Sequence, residues 1–106
     1  MAQFDVHRNI GRHREAIPFV VIVQSSLYDG YRRRVVVPLV HKVLLGPIAD
    51  AGFNPTFTIE NFDVVLHPLE IVSIPVGQLG ARVSTLADCG DQIVQALDQL
   101  LSRAWQ

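Results

Sequence analysis

The side chains with the most chemistry to offer are four histidines, one cysteine and a run of arginines. His7, His13, His41 and His67 lie far apart, and no pair stands at the i, i+4 spacing that sets two metal ligands on one helix face. His7 and His67 fall in alternating strand patterns that are expected to point them outward to solvent. Cys89 has no base near it in sequence and reads as a half-buried thiol, not a nucleophile. The glycines occur singly at expected turns, so no phosphate-cradling loop is present. No catalytic residue, no metal site and no cofactor are expected. Arg32-Arg33-Arg34 is the one charge cluster. Successive strand residues face opposite ways, so Arg33 opposes Arg32 and Arg34, and an arginine turned inward must find an acceptor. The plain reading is a solvated strand start. The sharper ones are a pinned loop or a phosphate or RNA contact.

Composition narrows the classes. Nearly half of the 106 residues are apolar and 18% are charged, which excludes a disordered chain and fits a single domain over residues 1–106. Nine Lys/Arg against ten Asp/Glu give no net-charge argument for nucleic acid or membrane. Ile17 to Val23, the longest apolar run, is interrupted by Pro18 and is too short to span a bilayer. The N-terminus does not look like a signal peptide, and a lone cysteine suits a reducing compartment, so a cytoplasmic protein is expected. So much apolar surface in so short a chain points to a homodimer that covers part of it.

The elements that must position these residues read as mostly β. Phe4 and Val6 alternate with polar neighbours as a first strand, and residues 8–16 connect it to Phe19–Val23, β-branched and buried on both faces. Residues 25–31 form a loop with Asp-Gly turn chemistry. The next strand runs from Arg32 to Val40, and Pro38 within it predicts an edge or a bulge. Residues 41–50 allow a short helical turn at most. Phe57 and Ile59 alternate, Asn61-Phe62-Asp63 turns the chain, and Val64–His67 completes a hairpin. Ile71–Ile74 is the last strand expected. Gly77 and Gly80 punctuate the step to a final helix, capped by Ser84 or Asp88 and weakened by Gly90 in its first turn.

That helix, Asp91 to Trp105, carries Ile93, Val94, Ala96, Leu97, Leu100, Leu101, Ala104 and Trp105 at helical spacing. Trp105 either closes the core or meets a partner, since tryptophan is enriched among residues that carry binding energy. Five or six antiparallel strands followed by this helix predict a mainly β fold, a small barrel or bent sheet with the helix packed on it.

Val23-Gln24-Ser25-Ser26-Leu27-Tyr28-Asp29 followed by Arg33-Arg34-Val35-Val36-Val37-Pro38-Leu39 closely resembles the CcdB family, the toxins of CcdA/CcdB toxin–antitoxin pairs. The likeness extends through Phe4-Asp5-Val6, Asn54-Pro55-Thr56-Phe57-Thr58-Ile59, Ile74-Pro75, Leu79-Gly80 and Ile93-Val94-Gln95-Ala96-Leu97-Asp98. This resemblance implies an SH3-like barrel with a C-terminal helix, assembled as a homodimer. It implies a protein that is not an enzyme but binds the A subunit of DNA gyrase and traps the gyrase–DNA cleavage complex, without sequence-specific nucleic-acid binding of its own. A CcdA-like antitoxin that wraps a disordered segment over the toxin would free gyrase, and the pair would regulate transcription.

Carried over by position, the gyrase-binding end is Leu101, Ser102, Arg103, Ala104 and Trp105. Leu27 and Tyr28, with Asp98 on the helix, match the antitoxin-receiving region. One departure stands out. Gyrase-poisoning members close with Gly followed by an apolar residue, whereas this chain has Arg103 at the glycine position, then Ala104, and runs on through Trp105-Gln106. Two alternatives therefore stay open: a non-toxic homologue that binds antitoxin but not gyrase, and a MazF/Kid-like ribonuclease using Arg32–Arg34 with His7 or His67.

Overall fold

The computed structural model describes residues 2–103. Among them, seven strands form one antiparallel sheet: β1 (Asp5–Asn9), β2 (Phe19–Ile22), β3 (Arg33–His41), β4 (Thr56–Ile59), β5 (Phe62–Leu66), β6 (Val72–Pro75) and β7 (Leu79–Thr85). A single turn of helix, α1 (Lys42–Leu45), follows β3, and α2 (Gly90–Leu101) closes the chain. The sheet order is β4-β5-β3-β2-β1-β7, with β6 joining β3.

The curl of the sheet follows from β3. Its first half pairs with β6, from Arg33↔Pro75 to Val36↔Val72, and its second half pairs with β5, from Leu39↔Leu66 to His41↔Val64. Two partners share one side of the strand while β2 holds the other. The sheet bends at the changeover into a half-barrel, the SH3-like form expected.

Period-2 alternation divides the core. Phe19, Val21, Val37 and Leu39 meet Ile93 and Ala96 of α2, together with Val6, Phe57, Ile59, Val64 and Leu66. The intervening Val20, Ile22 and Val36 face the other way, against Leu79 and Ile74. β2 is thus buried on both faces, as its β-branched run predicts.

Pro38 is not at an edge. It sits in the central strand opposite Val20, where pairing passes from β6, ending at Val36, to β5, starting at Leu39. Its carbonyl accepts from the His67 N–H at 3.1 Å, so its missing N–H falls on the same side, in the gap between the two partners. The hairpin also turns one residue earlier than expected. Glu60 and Asn61 take positive φ of 51° and 69°, a two-residue turn that leaves Phe62 in β5 and His67 beyond it.

The step from Gly77 to the helix is the main departure from the sequence reading. Residues 79–85 form β7, which pairs along β1 with two register shifts. Gly80 is needed there, since a Cβ would stand 2.6 Å from the Arg8 carbonyl. Ser84 lies inside β7 and Asp88 in a 3-10 turn, so neither caps α2. Cys89 occupies the cap position without a side-chain cap bond.

Arg82 Nε reaches Asp5 Oδ2 across this pairing at 3.2 Å. Burial pushes the Asp5 carboxyl up, but the Ala2 N–H at 3.0 Å and the Arg82 guanidinium outweigh it and hold the group below its ordinary value of 3.8. A carboxyl lowered in the folded state contributes stability above its unfolded value, and that contribution is lost as pH falls through the folded value. Urea unfolding from about pH 5 to pH 3 should therefore show a steeper loss of stability for the native chain than for Asp5→Asn.

Gly90, the first residue of α2, reverses a propensity argument. By propensity alone, alanine there would stabilise the helix by about 1 kcal/mol. A Cβ would instead lie 2.6 Å from the Phe4 ring. Phe4 has little room to yield, because it holds φ 70° while its N–H donates to Ile22 O at 2.6 Å and its carbonyl accepts from the Leu86 N–H at 2.8 Å. Gly90→Ala is expected to destabilise by about 1–3 kcal/mol in thermal or chemical denaturation, and a stabilised variant would contradict this packing.

Candidate functional site

Loop 25–31 presents apolar side chains on a backbone that side chains hold in place. Residues Ser26–Tyr28 form a 3-10 turn, with the Leu27 N–H donating to Ser25 Oγ at 3.2 Å. Leu27 is 87% exposed, and Tyr28 packs edge-on to Tyr31 with ring centroids 5.9 Å apart. The Gln3 N–H donates to Ser26 Oγ at 3.3 Å, tying the loop to the start of the chain.

Two side chains satisfy the loop carbonyls. Gln24 Nε2 donates to Tyr28 O at 3.1 Å and to Arg33 O at 3.3 Å, while its Oε1 accepts from the Val35 N–H at 3.0 Å. Arg34, only 5% exposed, donates to Tyr31 O at 2.6 Å, Asp29 O at 2.7 Å and Arg33 O at 2.9 Å. The Asp29 carboxylate stands 3.9 Å from Arg34 Nε, close enough to balance the buried charge. The inward arginine of the run is thus Arg34, and its acceptors are loop carbonyls. This is the pinned-loop reading of the cluster. Arg33 faces out and grips β6, through Nε to Ser73 Oγ at 2.9 Å and Nη2 to Ser73 O at 2.7 Å. Sequence reasoning missed Gln24, whose role depends on a bend that no local pattern announces.

At the other expected site, α2 ends at Leu101, four residues before Trp105. Ser102 caps it, its Oγ donating to Gln99 O at 3.0 Å, and then leaves in an extended conformation. Ile93 and Ala96 are buried, Leu97 and Leu100 half-buried, and Val94 exposed. Leu101 is 79% exposed, and Asp98, Ser102 and Arg103 are exposed beside it. Ala104 and Trp105 lie outside the described residues. Leu101, Ser102 and Arg103 are thus adjacent at one helix end, and Leu27 and Tyr28 are adjacent on one loop. Among the described residues, no hydrogen bond or ion pair joins that loop to α2.

The histidines behave differently from expectation. His7 is 4% exposed, not outward-facing, because β7 covers β1. Its Nδ1 lies 2.9 Å from the Gly80 carbonyl. His67 is half-buried, ending the chain's run out of β5. No three His, Cys, Asp or Glu side chains gather as a metal site among the described residues, and none of their helices is long and apolar enough to cross a membrane.

Comparison with known proteins agrees with this architecture. A family model described as CcdB protein matches residues 3–102. Among solved structures, the chain is similar to one described as an endoribonuclease in complex with its cognate antitoxin from Mycobacterial species, with TM-score 0.75 and 15% identity over 100% of this chain and 99% of that one. It is also similar to the Mycobacterium tuberculosis toxin MazF-mt6, with TM-score 0.72 and 15% identity over 95% of this chain and 99% of that one. At such identity these two likenesses speak for the fold alone. No curated protein matches significantly.

Proposed function

The chain belongs to the CcdB family, the toxins of toxin–antitoxin pairs, and we propose that it binds the A subunit of DNA gyrase and traps the gyrase–DNA cleavage complex. The observation that carries this reading is the extent of the family match, residues 3–102, which takes in both loop 25–31 and the end of α2. In this reading Leu101, Ser102, Arg103, Ala104 and Trp105 form the gyrase contact, one set from each subunit of a cytoplasmic homodimer. A CcdA-like antitoxin covers Leu27, Tyr28 and Asp98. Exposed Leu27, Val94 and Leu101 supply apolar surface for such partners. The protein acts by binding, not by catalysis. Arg34 is committed to backbone carbonyls and His7 is buried, so two of the side chains a ribonuclease would draw on are taken up within the fold.

Expression in a susceptible host tests the proposal. Growth arrest with DNA damage is expected, relieved by gyrase A mutation or by co-expressed antitoxin; normal growth at high expression would count against it. A second reading has its own observation. The family match ends at Ser102, and carried over from the resemblance Arg103 falls where gyrase-poisoning members have glycine. A homologue that keeps antitoxin binding and has lost gyrase would arise from that change.

A further inference from the structure

Gln24, Tyr28, Tyr31, Arg33 and Val35 line a shallow hollow of about 330 Å³ on the outer side of loop 25–31. The Tyr28 and Tyr31 rings, packed edge-on to each other, form part of its lining together with the half-buried Val35. Tyr31 is 69% exposed. The loop does not expose these rings for want of anchoring, because Gln24 and Arg34 already satisfy its carbonyls. Large apolar side chains displayed on a fixed frame cost little further ordering when a partner binds.

The rim states what the partner should carry. Arg33 is exposed in the lining, and its bonds go to the neutral Ser73 hydroxyl and carbonyl, so among the described residues it meets no carboxylate. The nearby Asp29 is turned to Arg34. A cation with no carboxylate partner in the lining of an apolar hollow complements an acidic segment with an apolar side chain. The adjoining edge of β6 is a poor template for an added strand, since Arg33 takes the Ser73 carbonyl and Pro75 has no N–H. Side chains, not a new strand, must do the holding.

We propose that this hollow is a docking subsite for an extended acidic segment of the antitoxin, with one aliphatic or aromatic side chain seated against Tyr28, Tyr31 and Val35 and a neighbouring carboxylate on Arg33. It rests on the reading that loop 25–31 receives the antitoxin. The hollow adds three contact residues to that reading: Tyr31, Arg33 and Val35.

Calorimetric titration of purified antitoxin into the full-length protein tests it. Tyr31→Ala and Arg33→Gln should each weaken binding at least tenfold, and Arg33→Glu more, with unchanged circular dichroism. The Arg33→Gln loss should shrink in high salt, and Tyr31→Phe should retain most of the affinity. Wild-type binding that neither variant alters would overturn the subsite and leave the antitoxin reading standing, whereas no binding to wild type would overturn both. A dimer that Tyr31→Ala converts to monomer in sedimentation would give the hollow to a second copy instead. Single-stranded RNA bound through these same residues would give it to nucleic acid. Either result overturns the proposal.

Discussion

Replacing Arg34 by Met should unseat loop 25–31, lower stability by about 2–4 kcal/mol and weaken antitoxin binding by more than tenfold. Arg34 lies almost wholly buried and donates to three carbonyls, those of Asp29, Tyr31 and Arg33. A dry carbonyl left without a donor costs about 1–3 kcal/mol. Glycine 30 and Tyr31 are exposed, so water reaches the loop and the total stays below the sum of three such losses. Methionine fills much of the arginine stem's volume, which limits any added cavity cost. Arg34→Lys keeps the charge and loses the planar fork, so it should fall between Met and the native residue. The binding loss follows from disorder: Leu27 and Tyr28 would have to be ordered again on contact with a partner. Denaturant unfolding and calorimetry measure the two effects separately. Native stability with native affinity in Arg34→Met would remove the latch.

The latch was half legible in the sequence. Strand alternation requires that one face of Arg32-Arg33-Arg34 look inward, and an inward arginine needs acceptors. That Arg34 is the buried one, and that its acceptors are backbone carbonyls of the preceding loop, depends on where β3 enters the sheet. The strand cores of β2, β3 and β4 were legible because β-branched runs and alternation survive burial. β7 was not: Leu79, Ala81 and Val83 do alternate with Gly80, Arg82 and Ser84, but Gly77 and Gly80 read as punctuation before the helix. Its place comes from a long-range partner, β1, and its glycine from contact with Arg8. His7 was misread for the same cause: the pattern of β1 alone cannot register a strand that arrives some seventy residues later. Pro38 shows the limit of an edge rule in a sheet whose central strand changes partners midway. At the helix, periodicity continued to Trp105, but Ser102 ends α2 by capping Gln99.

Arg103→Gly is expected to raise affinity for the gyrase A subunit on the order of a hundredfold, while antitoxin affinity stays within about twofold of the native value. Ser102 turns the chain out of α2, so residue 103 is the first to project beyond the helix end. There Arg103 is exposed and held by no hydrogen bond or ion pair among the described residues. In the free protein this arrangement costs nothing. Pressed against a partner, the guanidinium must shed water, and without a carboxylate opposite it the contact loses several kcal/mol, at about 1.4 kcal/mol per tenfold of affinity. Arg103→Ala separates the causes. If alanine and glycine tighten binding equally, charge was the obstacle; if glycine alone does, the tight approach needs a backbone without Cβ. Surface plasmon resonance against gyrase A reads both. Native affinity already equal to that of Arg103→Gly would mean that gyrase offers Arg103 a carboxylate, and Arg103→Ala would then bind more weakly than the native chain. If neither variant changes affinity in either direction, the end of α2 is not the gyrase contact.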